Sequence, residues 1–290
     1  MIRFGSYKQT NWDWRAAGNF IFGGAGGALL AVIALANQGQ PPTLPIAATA
    51  LVLVGLGLFL VWLEIGRPWR AMHVFFHPQT SWMTREACVA TVLFPLTAAA
   101  VWFGNSLLFI AAGTLGALFL YCQGRILKGA RGIPAWREAA IVPLIISTGL
   151  AEGIALLMAL FALFGGPTSS LVYSLMILLV LRSWAFFHYR GALEQAQAPA
   201  ATLVRIGNLR VPFLLLGNVA PILLSLVATL FWRPGLLEMA AFLVLAGGWH
   251  MKFVIVTSAA QVQGYGIGKL QRGRPVMKKP VRRDGDPWQS

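Results

Sequence analysis

The sequence predicts an all-α, polytopic membrane protein with eight transmembrane helices and both termini in the cytoplasm. Three observations lead to this fold class. Hydrophobic residues make up 57% of the 290-residue chain and charged residues only 11%, whereas soluble domains have roughly 45–50% and about 25%. Apolar runs near the ~20 residues needed to cross a bilayer recur along the chain, without the alternation typical of membrane strands. Basic residues concentrate in alternate connections between these runs.

The apolar runs give the expected helices in chain order. We expect no cleavable signal peptide, because the first fifteen residues are polar and aromatic and the first run is long enough to be a span. The glycines of G-N-F-I-F-G-G-A-G-G-A in the first run favour close packing between helices. The third and fourth runs nearly meet at Gly104–Asn105, which predicts a tight hairpin. The predicted spans are residues 16–37, 44–65, 87–104, 106–124, 138–165, 168–190, 211–232 and 236–260.

The distribution of positive charge orients the predicted bundle. The formal net charge is +14, which could suggest a nucleic-acid partner. Of the 23 lysines and arginines, however, all except Arg182, Arg233 and Lys252 fall in the N-terminus, the 2–3, 4–5 and 6–7 connections and the C-terminal tail. The positive-inside rule places that side, with both termini, in the cytoplasm. The charge therefore orients the protein and suits an acidic partner or anionic lipid.

The chain is predicted to comprise one transmembrane anchor domain and one tail. Residues 1–260 form the eight-helix domain, and residues 261–290 form a basic, extended cytoplasmic arm rich in Pro, Gly and charge. The segment Gly191–Ala201 is interpreted as a small-residue linker or a short surface helix. Because the longer connections all lie on the basic side, we expect the chain to be a platform for something inside the cell.

A polar cluster is predicted at the basic end of the second and third helices. Glu64 closes the second helix and Glu86 opens the third, and acids that bracket one loop can converge into a functional site. In the alternative interpretation, these charged side chains only interact with lipid headgroups or with the dipoles of helix termini. A cluster open sideways to lipid suits a quinone, which needs hydrogen-bond donors and a titratable group. The candidate quinone-binding residues are Glu64, Arg67, His73, His77, Glu86, Tyr121 and Arg125, with Glu64 and Glu86 as the proton-exchanging, catalytic pair.

The sequence offers few ligands for a redox centre of its own. Cys88 and Cys122 both fall inside predicted helices, and two thiols cannot hold an iron–sulfur cluster alone. The histidines lie at different predicted depths, which disfavours haem held by two of them. We therefore expect no metal site, and electrons must come from a partner chain.

Three charges are predicted deep inside the membrane. Glu152 lies near the middle of the fifth helix, and Arg182 and Lys252 lie about 12 Å from the ends of theirs. Such charges cost at least ~2.5–3.5 kcal/mol each, so they usually pair or line a polar cavity. A Glu152–Arg182 ion pair is favoured slightly over a proton path. A transporter that uses all three residues is the alternative function of another class.

Three stretches carry a family resemblance: L-E-I-G-R-P-W-R-A (63–71), W-M-T-R-E-A (82–87) and Y-C-Q-G-R-I-L-K-G-A-R-G-I-P-A-W (121–136). They resemble the membrane-anchor subunits of dimethyl sulfoxide reductase-type molybdenum enzymes, within the wider group of polysulfide reductase anchors. The resemblance implies a molybdopterin catalytic subunit, an iron–sulfur subunit and this quinone-binding anchor, which generally lacks haem. It also implies quinone chemistry at Glu64 and Glu86, although dimethyl sulfoxide reductase anchors have histidine at the first of these positions.

The resemblance and the charge distribution together give a functional expectation. With the partners docked on the cytoplasmic face of a bacterial inner membrane, the relatives include sulfite dehydrogenases and phenylacetyl-CoA oxidoreductases, which reduce ubiquinone or menaquinone. Protons would enter through Glu64 and Glu86 from the same side as electrons, so turnover would move little charge across the membrane. The alternative within the family is quinol oxidation that feeds a terminal reductase of anaerobic or sulfur respiration, such as dimethyl sulfoxide or polysulfide reductase.

Overall fold

A computed structural model describes residues 4–65, 68–165, 169–231, 233 and 235–265. Within these residues, eight helices are long and apolar enough to cross a membrane, which confirms the predicted all-α, polytopic class. The spans are α1 (Trp14–Ala36), α2 (Leu44–Glu64), α3 (Trp82–Phe103), α4 (Ser106–Gly129), α5 (Ile141–Phe164), α6 (Ser170–Gln195), α7 (Ala200–Phe231) and α8 (Gly235–Ser258).

Several helices extend beyond their apolar runs at one end. α7 begins at Ala200 rather than at residue 211, and α6 continues to Gln195. The segment Gly191–Ala201, predicted as a linker or short surface helix, is therefore mostly the ends of two spans. The apolar pattern failed here because the first turns of α7 carry Arg205, Asn208 and Arg210, and polar turns at the end of a span resemble a loop in hydropathy.

α1 and α5 form the centre of the bundle, with the greatest buried share of any spans in the described residues. Their contacts with neighbouring helices depend on glycines, which have no side chain. A Cβ on Gly116 of α4 would lie 2.4 Å from the carbonyl oxygen of Gly27 in α1. One on Gly153 of α5 would lie 2.8 Å from the carbonyl carbon of Ala28. The glycine series of the first helix therefore packs against its neighbours, as the sequence predicts.

Three spans contain a π-helical segment, at Asn19–Gly23 in α1, Pro212–Val219 in α7 and Val254–Ser258 in α8. Proline lacks the backbone N–H that an α-helical turn would use, so Pro212 favours a change of winding at that point. Such segments frequently occur at functional sites. In α7 the altered winding presents the carbonyl oxygen of Gly217 to a side chain of α6.

The two described ends of the chain meet in a short antiparallel sheet. β1 (Phe4–Lys8) pairs with β2 (Gln261–Tyr265), with Lys8 opposite Gln261. Both ends therefore lie on one side of the bundle, as eight spans require. The predicted arm thus starts with a strand, and its residues 266–290 lie outside the described part of the chain. We call the end of the bundle that carries β1, β2 and the α2–α3, α4–α5 and α6–α7 connections the basic end.

Candidate functional site

Glu86 is a buried carboxylate in the second turn of α3, 5% exposed. The Ser81 side chain caps this helix by accepting a hydrogen bond from the Thr84 amide. Asn19, in the π-helical segment of α1, donates its Nδ2 to both carboxylate oxygens of Glu86, at 3.2 and 3.4 Å. Gln123 of α4 donates Nε2 to the Asn19 carbonyl at 2.8 Å. Three helices thus hold one carboxylate, and desolvating it requires such partners.

Glu64 and Glu86 line the same cavity, as their positions at the ends of α2 and α3 predict. The cavity has a volume of about 30 Å³, which is enough for a water molecule but not for a quinone ring. Glu64 is partly exposed at the end of α2. The remaining lining is Trp12, Ala16, Asn19, Phe20, Val61, Met83 and Ile126.

The wall of this cavity next to α1 is fixed by residues just before and inside the first turn. Trp12 stacks on Trp136 with ring centroids 4.7 Å apart. Arg15 pairs with Asp13 at 2.8 Å and donates Nη1 to the carbonyl oxygen of Leu63 at 2.8 Å. The hydrogen bond from Arg15 lowers the pKa of the Asp13 carboxyl below its usual value. These contacts tie the start of α1 to the end of α2 beside Glu64.

The loop residues predicted for the site lie elsewhere. His73, in the 3₁₀ helix Pro68–Phe76, and His77 are exposed, and neither of these described residues lines the cavity. His73 stacks on Phe76 with centroids 5.3 Å apart. Arg67 lies outside the described residues. The predicted role of the two histidines as quinone ligands therefore gains no support from their placement.

Tyr121 and Arg125 belong to a different part of the basic end. Arg125 donates Nη1 to the Tyr121 hydroxyl at 2.5 Å, and its guanidinium lies 4.3 Å from the centre of the Trp82 ring. Arg125 and Trp82 line a second cavity, whereas Met83, Glu86 and Ile126 line the first. Of the predicted residues that the structure describes, Glu64 and Glu86 therefore line the first cavity and Arg125 lines the second.

The deep charges pair differently from the prediction. Lys252 of α8 contacts Glu152 of α5 at 2.5 Å, and both side chains are fully buried. Arg182 of α6 donates Nε to Asn218 Oδ1 at 2.7 Å and also bonds the Gly217 carbonyl. The predicted Glu152–Arg182 ion pair is therefore wrong, because the π-helical segment of α7 supplies uncharged acceptors to the guanidinium. The membrane depth predicted from the sequence could not reveal this pairing, because depth does not show which face of a helix contacts which neighbouring helix.

The buried polar groups form one column from Glu86 to the middle of α5. A Cβ on Gly24 would lie 2.5 Å from Gln123 Oε1 and 3.1 Å from Lys252 Nζ, so these two groups surround the same glycine. The column thus passes from Glu86 through Asn19, Gln123 and Lys252 to Glu152. Beyond it, α5 continues as I-A-L-L-M-A-L-F-A-L-F, which is apolar throughout. Asn19 Oδ1, Gln123 Oε1 and Glu152 Oε1 have no hydrogen-bond partner within the described residues.

Sequence reasoning did not place Asn19 or Gln123 at the site. Both are polar residues inside apolar runs, and polar groups at membrane depth are usually functional or paired. That signal was available for Asn19, which stands two residues into a glycine-rich stretch. Asp13, Arg15 and Trp12 carried no comparable signal, because polar and aromatic residues are ordinary just before a span.

Comparison with known proteins finds a match to the first part of the chain. Residues 4–107 match the family model described as polysulphide reductase, NrfD. No curated protein matches the chain. The matched range contains Asn19, Glu64 and Glu86 and two of the three stretches that carried the resemblance, and it ends before the stretch 121–136. The match over residues 4–107 agrees with the family resemblance seen in the sequence: this part of the multi-pass membrane protein is similar to the polysulphide reductase, NrfD family.

Proposed function

We propose that the chain is the quinone-binding membrane subunit of an oxidoreductase complex and passes electrons from an iron–sulfur subunit to quinone. The observation that carries the proposal is the shared cavity of Glu64 and Glu86, inside the range that matches the family. One carboxylate is buried and held by Asn19, and the other is partly exposed. This arrangement suits proton delivery from water to a reaction at the edge of the membrane.

Quinone supplies a two-electron, two-proton acceptor, and the residues present fit its needs. The cavity is too small for the ring, so a quinone head would bind outside it, next to the exposed side chain of Met83, which lines the cavity. Glu86, whose carboxylate accepts from Asn19 Nδ2, would deliver protons to a bound quinone one at a time, and two such deliveries would accompany the two electrons from the partner. Glu64 exchanges protons with water and reloads Glu86 through the water-sized space between them.

The distribution of basic residues supports the proposed orientation of the chain and the face on which its partners dock. The basic end faces the cytoplasm of a bacterial inner membrane by the positive-inside rule. An iron–sulfur subunit docks there and connects to a molybdopterin subunit that oxidises a substrate such as sulfite or an arylacetyl-CoA. Both carboxylates belong to this end, so protons and electrons enter from one side. The column of polar groups stops at Glu152 and Lys252, which supports turnover that moves little charge across the membrane.

The reverse direction, quinol oxidation feeding a terminal reductase, uses the same groups as proton acceptors. The description of the matching family, polysulphide reductase, favours this second candidate. The transporter alternative has weaker support. Glu152 and Lys252 neutralise each other, Arg182 is bonded to Asn218 and backbone carbonyls, and α5 is apolar beyond Glu152.

Purification of the chain from native membranes tests this proposal. The chain should bring down iron–sulfur and molybdenum-containing subunits whose substrate oxidation reduces quinone. A chain that purifies without redox subunits, under detergent conditions that preserve its helical content, would exclude the anchor function. In proteoliposomes, the complex should generate little membrane potential during turnover. A potential comparable to that of a proton-pumping enzyme would exclude proton uptake and electron entry on the same side.

A further inference from the structure

The second cavity at the basic end is large and strongly basic. It has a volume of about 790 Å³ and lies beside the ends of α3 and α4. Its lining includes Arg125, Lys128, Arg131 and Arg137, against one carboxylate, Glu138. Glu138 lies 3.7 Å from Arg137, so three cations remain without a charge of opposite sign among the described lining residues.

Arg125 is held in position rather than free in solvent. Its guanidinium lies 4.3 Å above the Trp82 ring, and Arg85 lies 4.1 Å from the same ring. The Tyr121 hydroxyl accepts from Arg125 Nη1 at 2.5 Å. Arg125 itself is partly exposed and lines the cavity. A planar guanidinium fixed by stacking is suited to bind an oxyanion.

The cavity lies at the end of a lipid-facing stripe of α4. Exposed residues recur along this helix at Leu107, Ile110, Thr114 and Leu118, and the same three- and four-residue spacing leads to Arg125 and Lys128. A helix rises 1.5 Å per residue, so the distance from Leu107 to Arg125 is about 27 Å. This is close to the ~30 Å thickness of the hydrocarbon core, which puts the Arg125 guanidinium at headgroup depth.

We propose that this cavity binds the headgroup phosphate of an anionic phospholipid, with the acyl chains lying along the exposed stripe of α4. The cations supply charge and the fixed Arg125 supplies directed donors. The stripe supplies the apolar contact that a free phosphate could not use. An acidic protein segment would match the charge, but it would leave the stripe unoccupied. Basic pockets between transmembrane helices are known to bind anionic headgroups.

Binding of phosphatidylglycerol to the detergent-purified full chain, with the subunits that accompany it, tests the proposal. The probes are phosphatidylglycerol, phosphatidylcholine and inorganic phosphate, with bound lipid counted by native mass spectrometry. We expect a clear preference for phosphatidylglycerol that inorganic phosphate does not abolish. The double variant Lys128→Gln with Arg131→Gln should weaken phosphatidylglycerol binding roughly 30-fold, since each basic group near the surface contributes about 1 kcal/mol.

The matched control removes the same number of charges from the basic-end turns of α6 and α7. Arg190→Gln with Arg210→Gln should leave phosphatidylglycerol binding nearly unchanged, and all variants are compared only at native helical content. Equal losses in both double variants, or equal binding of phosphatidylcholine, would overturn the lipid site. Full competition by inorganic phosphate would also overturn the lipid proposal, because it would show that the cavity binds a free anion without the acyl chains. If the Lys128/Arg131 double variant keeps its preference for phosphatidylglycerol but loses an accompanying subunit, the surface docks a protein. That result would also overturn the lipid proposal.

Discussion

The Glu152–Lys252 pair allows the placement of the deep charges to be tested by a double-mutant cycle. Its contact is 2.5 Å and neither side chain is exposed. Lys252→Met or Glu152→Gln alone removes one partner and leaves the other charge buried without compensation. Each single variant should therefore lower the free energy of unfolding by about 3–5 kcal/mol. The double variant removes both charges and should be destabilised by only about 1 kcal/mol or be neutral. The coupling energy, the sum of the two single costs minus the cost of the double variant, is therefore expected to be about 5 kcal/mol or more.

Reversible unfolding in detergent, followed by helical signal, gives the three free-energy differences. The control cycle combines Glu152→Gln with Arg182→Met, the pair that the sequence predicts and the structure does not form. Its coupling should be less than half as large, because Arg182 keeps its own acceptors at Asn218 and Gly217. Additive effects in the first cycle, or larger coupling in the control cycle, would refute the assignment of Lys252 as the partner of Glu152.

Two further predictions concern packing and pH. Gly116→Ala should destabilise the bundle by about 1–3 kcal/mol, because the added Cβ would lie 2.4 Å from a carbonyl oxygen of α1. The control, Gly207→Ala in α7, should be neutral or slightly stabilising, because a Cβ there would have nothing within 4 Å. Similar melting temperatures for the two variants would contradict the α1–α4 packing. Asp13 has a pKa below its usual 3.8 because Arg15 bonds its carboxylate, so its stabilisation is full above that value and disappears as the pH falls through the lower, folded-state pKa. Melting temperatures of native chain and Asp13→Asn should therefore differ at neutral pH and converge in acid, and a difference that is independent of pH would contradict this.

The helical pattern was predictable because it depends on composition over about twenty residues at a time. The close packing of α1 against its neighbours was also indicated in sequence by its glycines, which suit close approach of backbones. Helix ends such as Ala200 were not predictable, since polar turns of a span resemble loops in hydropathy. The pairing of β1 with β2 was equally hidden, because the two strands lie at opposite ends of the described chain.

The candidate site was predicted in part. Glu64 and Glu86 converge because the connection between α2 and α3 returns the chain to the same end of the bundle. Position along the sequence could not decide which way His73 and His77 face, or separate Tyr121 and Arg125 from the two acids. Arg125 and Ile126 are adjacent in α4, yet they line different cavities, since neighbouring residues of a helix point about 100° apart.

The central claim, that Glu86 delivers protons to quinone, is tested most directly by Glu86→Gln in the purified complex. Glutamine keeps the size of the side chain and an oxygen that can accept from Asn19, but it cannot exchange a proton. Quinone reduction should fall by about 10²-fold or more, while partner oxidation by an artificial dye stays unchanged. The exposed Glu238→Gln serves as the matched control and should leave both activities at the native level. Quinone reduction that persists in Glu86→Gln at the native rate would contradict the account.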